Sequence, residues 1–331
     1  MYYLKKESAD GRLLIWKLCT RVIARHPLGV GLGNFSGSYG KQQFAYFASS
    51  EGTAQEIYVA GNPDYAFNEY LQTCIEYGIP CFLLFFVGVC RAIYTGIRMK
   101  RHAVVGSLGA LLIFAFMSYP FNVLPFVIVF MFLLASCAKD IKPVIHEKTA
   151  GKYVTVIYFG FLLTLTIACS YSRISTYHAY NKLNTSSILK INGLRNDALH
   201  LYTEIYDDLN QEIHFVFDYA NMLKNEGRYT ISNQVLQKGM KISCDPVLYI
   251  LTGLNYQQIK EYTAAETYFR KAADLVPNRL YPYYLLANLY LEMGLSDKAC
   301  IMAKIVLTKE PKVHSQAIVE MREEMKEICT E

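Results

Sequence analysis

Apolar positions along this chain follow two patterns. Between residues 78 and 171 they run almost continuously, broken by two short basic stretches, and from 172 onward they recur at helical spacing among charged residues. A bilayer core takes about 20 apolar residues of helix, and 79–97, 103–119, 121–138 and 153–171 each come close. The second is short and holds Gly106, Ser107 and Gly109, small residues that let helices approach closely. One helix over 103–138 would be far too long and would hold Pro120 and Pro125 in its interior, so Tyr119-Pro120-Phe121-Asn122 is read as an uncharged hairpin turn. The expected fold class is all-α: a polytopic membrane domain of about four transmembrane helices joined to a tetratricopeptide-like α-solenoid. The expected division is 1–78, 79–171 and 172–331.

The solenoid follows from a repeat. Pro277 and Pro311 stand 34 residues apart, and before each lies the mix of small and aromatic residues that lets two antiparallel helices pack closely. One unit reads Gly253, Tyr256, Ala265, Phe269, Ala272, Pro277, and the next reads Ala287, Tyr290, Gly294, Ala299, Pro311. A weaker copy over 213–245 aligns through Ala220, Leu223 and Gly227, and a degenerate unit precedes it around Ala198 and Tyr202. One unit cannot bury its own apolar face, so about three or more must stack. The stack over 213–313 either receives a protein partner or serves as a packing platform for the membrane domain.

Charge orients the spans. Arg98, Lys100 and Arg101 follow the first, Lys139, Lys142, Lys148 and Lys152 follow the third, and the Pro120 hairpin has none. Basic loops stay in the cytoplasm, which puts the first 75 or so residues and 172–331 together outside. Arg91, inside the first span, reads as snorkelling to the near surface or as a polar contact within a bundle. A net charge of +5 with no basic stripe, and no nucleic-acid motif, excludes DNA or RNA as a partner. Nine cysteines without a CxxC pair exclude a zinc site and a disulfide framework. MYYLKKESADGRLLIWK lacks the apolar core of a signal peptide.

The polar head holds the candidate chemistry. Asp10 reads as an N-cap, followed by a helix over 12–25 in which Lys17, Arg21 and Arg25 share one face beside an apolar stripe of Leu14, Leu18 and Val22. The basic row is either a solvated face or a cationic surface for a phosphate-bearing ligand. His26-Pro27 ends the helix. Gly29, Gly31 and Gly33 follow a helix rather than a strand, which rules out a dinucleotide loop and leaves tight turns. In NPDYAFNEYLQTCIEYG, over 62–78, Asn68, Glu69, Gln72 and Glu76 form a polar stripe beside Tyr65, Tyr70 and Tyr77, pointing to a polar headgroup site at the mouth of a span.

Gly11-Arg12, Trp16, Pro27, Gly31, Gly33 and Phe35, then Asn68-Glu69-Tyr70-Leu71-Gln72 and Glu76-Tyr77-Gly78, resemble the signature of the O-antigen ligase and polymerase superfamily in its Bacteroides-like form. Tyr119-Pro120-Phe121 and the appended repeats also fit that form. The resemblance implies a multi-pass protein of the bacterial inner membrane with both soluble parts periplasmic. It implies glycan transfer from a polyprenyl-diphosphate carrier to a sugar hydroxyl, with neither cofactor nor metal. Arg12 matches the arginine that holds the diphosphate, with Lys17, Arg21 and Arg25 on the same helix. Asn68 matches the asparagine of the second motif, and Tyr65 and Gln72 lie on the acceptor side. Family members commonly carry a histidine just ahead of that asparagine, whereas Tyr65, Ala66 and Phe67 stand here, so Glu69 is the nearest general base. Family members also have several more N-terminal spans, so the chain reads as a fragment of the usual architecture. The alternative function is a noncatalytic membrane-anchored repeat scaffold in envelope assembly.

Overall fold

The computed structural model describes residues 2–138 and 150–328. Its helices in order are α1 (Tyr2–Arg25), α2 (Phe35–Ala48), α3 (Ala54–Val59), α4 (Glu69–Arg98), α5 (His102–Met117), a 3-10 turn (Pro120–Asn122), α6 (Leu124–Ala138), α7 (Ala150–Ile191), α8 (Arg195–Glu204), α9 (Tyr206–Leu209), α10 (Ile213–Asn225), α11 (Tyr229–Ile242), α12 (Pro246–Gln258), α13 (Tyr262–Leu275), α14 (Tyr281–Glu292), α15 (Ser296–Thr308) and α16 (Gln316–Ile328). Among the described residues there is no strand. The expected N-cap at Asp10 is corrected: no helix breaker precedes Gly11, so α1 runs through Asp10 from Tyr2, and the Asp10 carboxylate instead accepts a hydrogen bond from Gln55 Nε2 at 3.1 Å.

Leu14, Leu18 and Val22 of α1 are buried against Phe35, Tyr39 and Tyr46 of α2 and Ile75 of α4, so the apolar stripe makes a core for the head. The turn after α1 then closes onto α4. Val30 N donates to Ile75 O at 2.8 Å, Gly31 N to Glu76 O at 3.0 Å, and Ile79 N to Pro27 O at 2.9 Å. Gly78 sits at φ 86° and ψ 163°, a region closed to other residues, and splits α4 into 69–77 and an apolar helix from Ile79, with Pro80 in its first turn. Pro27 O thus takes one of the free N–H groups at the start of that apolar helix. Gly29, at φ 89°, lies so close that a Cβ would meet Glu76 O at 2.7 Å. Gly29→Ala is therefore expected to cost about 2 kcal/mol from backbone strain alone, read as a lower thermal midpoint of the detergent-purified protein.

The apolar helices α4, α5 and α6 pack through Val89, Ala92, Leu108, Leu111, Phe130 and Leu133, while Leu84, Ile113 and Phe132 face outward. Among the described residues two helices are long and apolar enough to cross a membrane, Glu69–Arg98 and Val156–Ile191, and the apolar window of the second is entirely uncovered. The helices α5 and α6 are apolar but have 16 and 15 residues. Arg91 is exposed on the outward face, so the polar contact within a bundle is not made. Lys139, Lys142 and Lys148 lie outside the described residues. Beyond 171 the chain does not break: α7 continues to Ile191 and packs Ala179 and Leu183 into the core of the first repeats.

Three helix pairs, α10 with α11, α12 with α13 and α14 with α15, form the tetratricopeptide-like stack, and α8 adds the buried Ala198 and Tyr202 of the degenerate unit. The head docks on this stack through α2. Ser36 Oγ accepts from Cys244 N at 3.2 Å, and Gln43 Nε2 donates to Leu275 O at 2.6 Å, taking a carbonyl at the C-terminal end of α13. From the other side, Asn278 Nδ2 donates to Tyr58 O at 2.8 Å and to Ala60 O at 2.7 Å. A Cβ on Gly37 would overlap the Lys241 carbonyl, and one on Gly40 would lie 2.5 Å from Cys244 Cβ. Small residues at these two positions are what lets α2 come down on the repeats.

Candidate functional site

The site is built at the start of α4. Asn68, in extended conformation, accepts at Oδ1 from Tyr70 N at 3.0 Å and Leu71 N at 3.1 Å, the geometry of an N-cap. The next residue, Glu69, accepts at Oε1 from Phe121 N at 2.7 Å, so the hairpin turn lies over its carboxylate. Gln72 Oε1 accepts from Ala66 N at 3.2 Å. Glu69, Gln72, Thr73 and Glu76 line a cavity of about 430 Å³ that reaches down to Cys81 and Phe85 of the apolar helix. A second cavity of about 280 Å³ shares Leu32, Gln72, Glu76 and Asn122 with it and continues to Asp64, Tyr65 and the repeat-side Gln211 and Glu212. The two make one cleft from the apolar helix to the repeats.

Both carboxylates at the centre of this cleft precede the apolar helix that starts at Ile79. Burial raises Glu69 from the ordinary 4.5 to about 7; the Phe121 N–H pulls the other way, and the nearby Glu76 adds to the rise. Burial also raises Glu76, against hydrogen bonds from the Gly33 N–H, the Gln72 side chain and the Phe35 N–H. A carboxyl near 7 exchanges a proton readily at neutral pH, the property a general base needs.

Arg12 lies elsewhere. It does not line the cleft: its Nη1 donates to Met117 O at 3.0 Å, and its guanidinium sits 5.3 Å from the centre of the Phe67 ring. Phe67 has φ 52°, unusual for so bulky a residue, and its edge meets Tyr119 at 5.4 Å. Tyr119 in turn stacks on the cleft residue Tyr65 at 4.8 Å with 12° between the rings. Trp16 Nε1 fixes the same turn by donating to Ala66 O at 3.0 Å. Arg12 and the carboxylates therefore flank a wall of Phe67, Tyr119 and Tyr65.

The rest of the basic row divides. Lys17 pairs with Glu56 at 2.7 Å and with Tyr46 Oη at 2.7 Å, and Arg21 pairs with Glu51 at 2.8 Å. Burial would raise Glu56, but hydrogen bonds from Lys17, Thr53 and Tyr46 win and lower it to about 2. Arg25 is exposed at the end of α1, with no ion pair among the described residues. The structure thus brings Tyr65, Glu69 and Gln72 to one cleft, uses Asn68 as its helix cap, and leaves Lys17 and Arg21 bound to carboxylates. Asp64, Asn122, Gln211 and Glu212 complete the cleft and carry no local signal in the sequence. Among the described residues no group of His, Cys, Asp and Glu side chains is arranged to hold a metal.

These features define an all-helical chain whose polar cleft opens at an apolar helix and is closed on one side by tetratricopeptide-like repeats. Residues 3–86 match the family model described as O-antigen ligase, a membrane-associated family, so the head and the start of the apolar helix are an O-antigen ligase-like region. No curated protein matches the chain. Among solved structures, MamA 41-end from Desulfovibrio magneticus RS-1 is 14% identical, with 44% of this chain and 76% of that chain covered and a TM-score of 0.36. A crystal structure of MamA protein is 17% identical, with 46% and 88% covered and a TM-score of 0.36. The repeat assignment rests on this chain's own period and helix pairs.

Proposed function

We propose that the chain is the ligase- or polymerase-type part of a membrane glycosyltransferase that moves a glycan from a polyprenyl-diphosphate carrier to an acceptor sugar in cell-surface polysaccharide assembly. The observation that carries this reading is the cleft at the mouth of the apolar helix, with Glu69 near neutrality inside the segment that matches the family. In this reading the four stretches 79–97, 103–119, 121–138 and 153–171 span the bacterial inner membrane, with 1–78 and 172–331 periplasmic. The acceptor hydroxyl lies beside Tyr65 and Gln72 and gives its proton to Glu69 as its oxygen attacks the anomeric carbon. The bond to the diphosphate breaks with its electron pair on the leaving oxygen; the family resemblance gives the charge that grows there to Arg12, so the carrier has to pass around the wall of Phe67, Tyr119 and Tyr65 to reach it from the cleft. Asn68 acts by holding Glu69 at the helix start.

A second reading, a noncatalytic repeat scaffold in envelope assembly, is favoured by Phe67 standing where the family commonly has a histidine. One substitution separates the two. Arg12→Ala is expected to lower glycan transfer by about 100-fold or more in membranes carrying the protein, with polysaccharide on the carrier as donor. Unchanged transfer, or unchanged surface polysaccharide in a complemented strain, would favour the scaffold.

A further inference from the structure

We propose that Arg25 and Lys41 form a headgroup site for an anionic phospholipid of the surrounding bilayer, separate from the carrier diphosphate. The inference rests on the reading that the helix from Ile79 enters the membrane. The middle of α1 and the turn that follows it touch the ends of two apolar helices: Arg12 donates to Met117 O at the close of α5, and Pro27 O, just past the end of α1, accepts from Ile79 N at the start of the apolar part of α4. The C-terminal half of α1, from Arg12 to Arg25, therefore lies across the mouth of the helix bundle, and on this reading Arg25 comes to the depth at which phosphates of the outer leaflet sit. Arg12 and Arg25 are about 20 Å apart along the axis of α1 at 1.5 Å per residue, so one diphosphate cannot engage both.

The chemistry at the Arg25 end suits a phosphate. Arg25, His26, Ser38, Lys41 and Gln42 line a cavity of about 310 Å³ with no carboxylate in its wall. One and two turns back, Arg21 and Lys17 are already neutralised by Glu51 and Glu56. A guanidinium can hold two phosphate oxygens at once, and an ammonium and a hydroxyl offer donors to a third. Immediately after this cavity the turn exposes Leu28 (80%), and further on Leu32 (71%), which stands between this cavity and the cleft that it also lines. The turn is held to α4 by the Val30 and Gly31 hydrogen bonds, so the two leucines are fixed at the foot of the apolar helix rather than free to fold inward. Exposed leucines beside a basic cavity that has no ion pair among the described residues match an acyl chain beside its phosphate.

The test uses the full chain, purified in nonionic detergent and mixed with phosphatidylglycerol or phosphatidylcholine of the same acyl length, with retained lipid counted by native mass spectrometry. The natural sequence is expected to hold phosphatidylglycerol in preference to phosphatidylcholine, and the Arg25→Gln/Lys41→Gln double variant to bind it about 30-fold more weakly. A pair far from the site, Lys238→Gln/Lys271→Gln, is expected to retain the lipid in full. Equal retention by the Arg25/Lys41 variant, an equal loss in the distant pair, or full displacement of lipid by an equimolar concentration of inorganic phosphate would overturn the proposal. An alkaline wash of membranes distinguishes the two failures. Release of the protein would remove the membrane reading along with this one, whereas a protein that stays in the membrane yet shows no lipid preference removes only the headgroup site.

Discussion

Gly37→Leu is expected to lift the repeats off the head. At this position α2 lies against the end of α11 so closely that even a methyl would overlap the Lys241 carbonyl, and a backbone carbonyl at the end of a packed helix cannot turn aside as a long side chain can. The cost is expected to exceed about 3 kcal/mol, the upper end of what added volume costs in a packed site. Ser36, Gln43 and Cys244 are buried where the head meets the repeats, so their contacts go with it. Cys244 gives the readout: it is 1% exposed and should be protected from a thiol reagent in the natural protein and labelled in the variant, as mapped on its peptide by mass spectrometry. Circular dichroism should show the helices intact. A Cys244 that stays protected in Gly37→Leu would mean that α2 has room to move and that the docking is looser than its contacts imply. Because Gln211 and Glu212 belong to the far wall of the cleft, the same variant should weaken acceptor use if the cleft is where the acceptor binds.

Much of the architecture can be read from spacing because the physical causes are local. A 34-residue period forces helix pairs, and an apolar run with a proline hairpin forces separate apolar helices. The docking of head on repeats has no such signal. Its partners lie 208 residues apart at Ser36 and Cys244, and FSGSYGKQQF reads as an indifferent helix until the surface that needs its glycines is present. The basic row shows the same limit. Lys17, Arg21 and Arg25 are equivalent by period, yet Glu56 and Glu51 are brought in by α3 and the turn before it, and only Arg25 escapes them. Asp10 misled for the opposite reason, since a good N-cap residue can also sit within a helix when nothing before it stops the helix. Glu69 was visible as an acid at the mouth of an apolar segment. That it titrates near neutrality depends on Phe121 and the hairpin closing over it from 52 residues away.

Glu69→Gln is expected to cut transfer by about 100-fold to 10,000-fold, the usual worth of a placed general base. The amide keeps the size of the carboxylate and can still accept from the Phe121 N–H, so the loss is chemical rather than structural. The pH dependence makes the argument specific. Only the carboxylate can take the acceptor's proton, and with Glu69 raised to about 7 the rate of the natural protein should climb through pH 6 to 7 and level off above it. The glutamine variant should lack that limb. Stability runs the other way: the folded state holds the Glu69 proton up to about 7 while the unfolded chain releases it near 4.5, so unfolding free energy falls as pH rises through that window. Glu69→Gln should flatten that slope, leaving a variant less active than the natural protein and, above pH 7, no less stable. A variant with the natural rate and an unchanged pH limb would move the base elsewhere, and Glu76, the other buried carboxylate of the cleft, would be the next to replace.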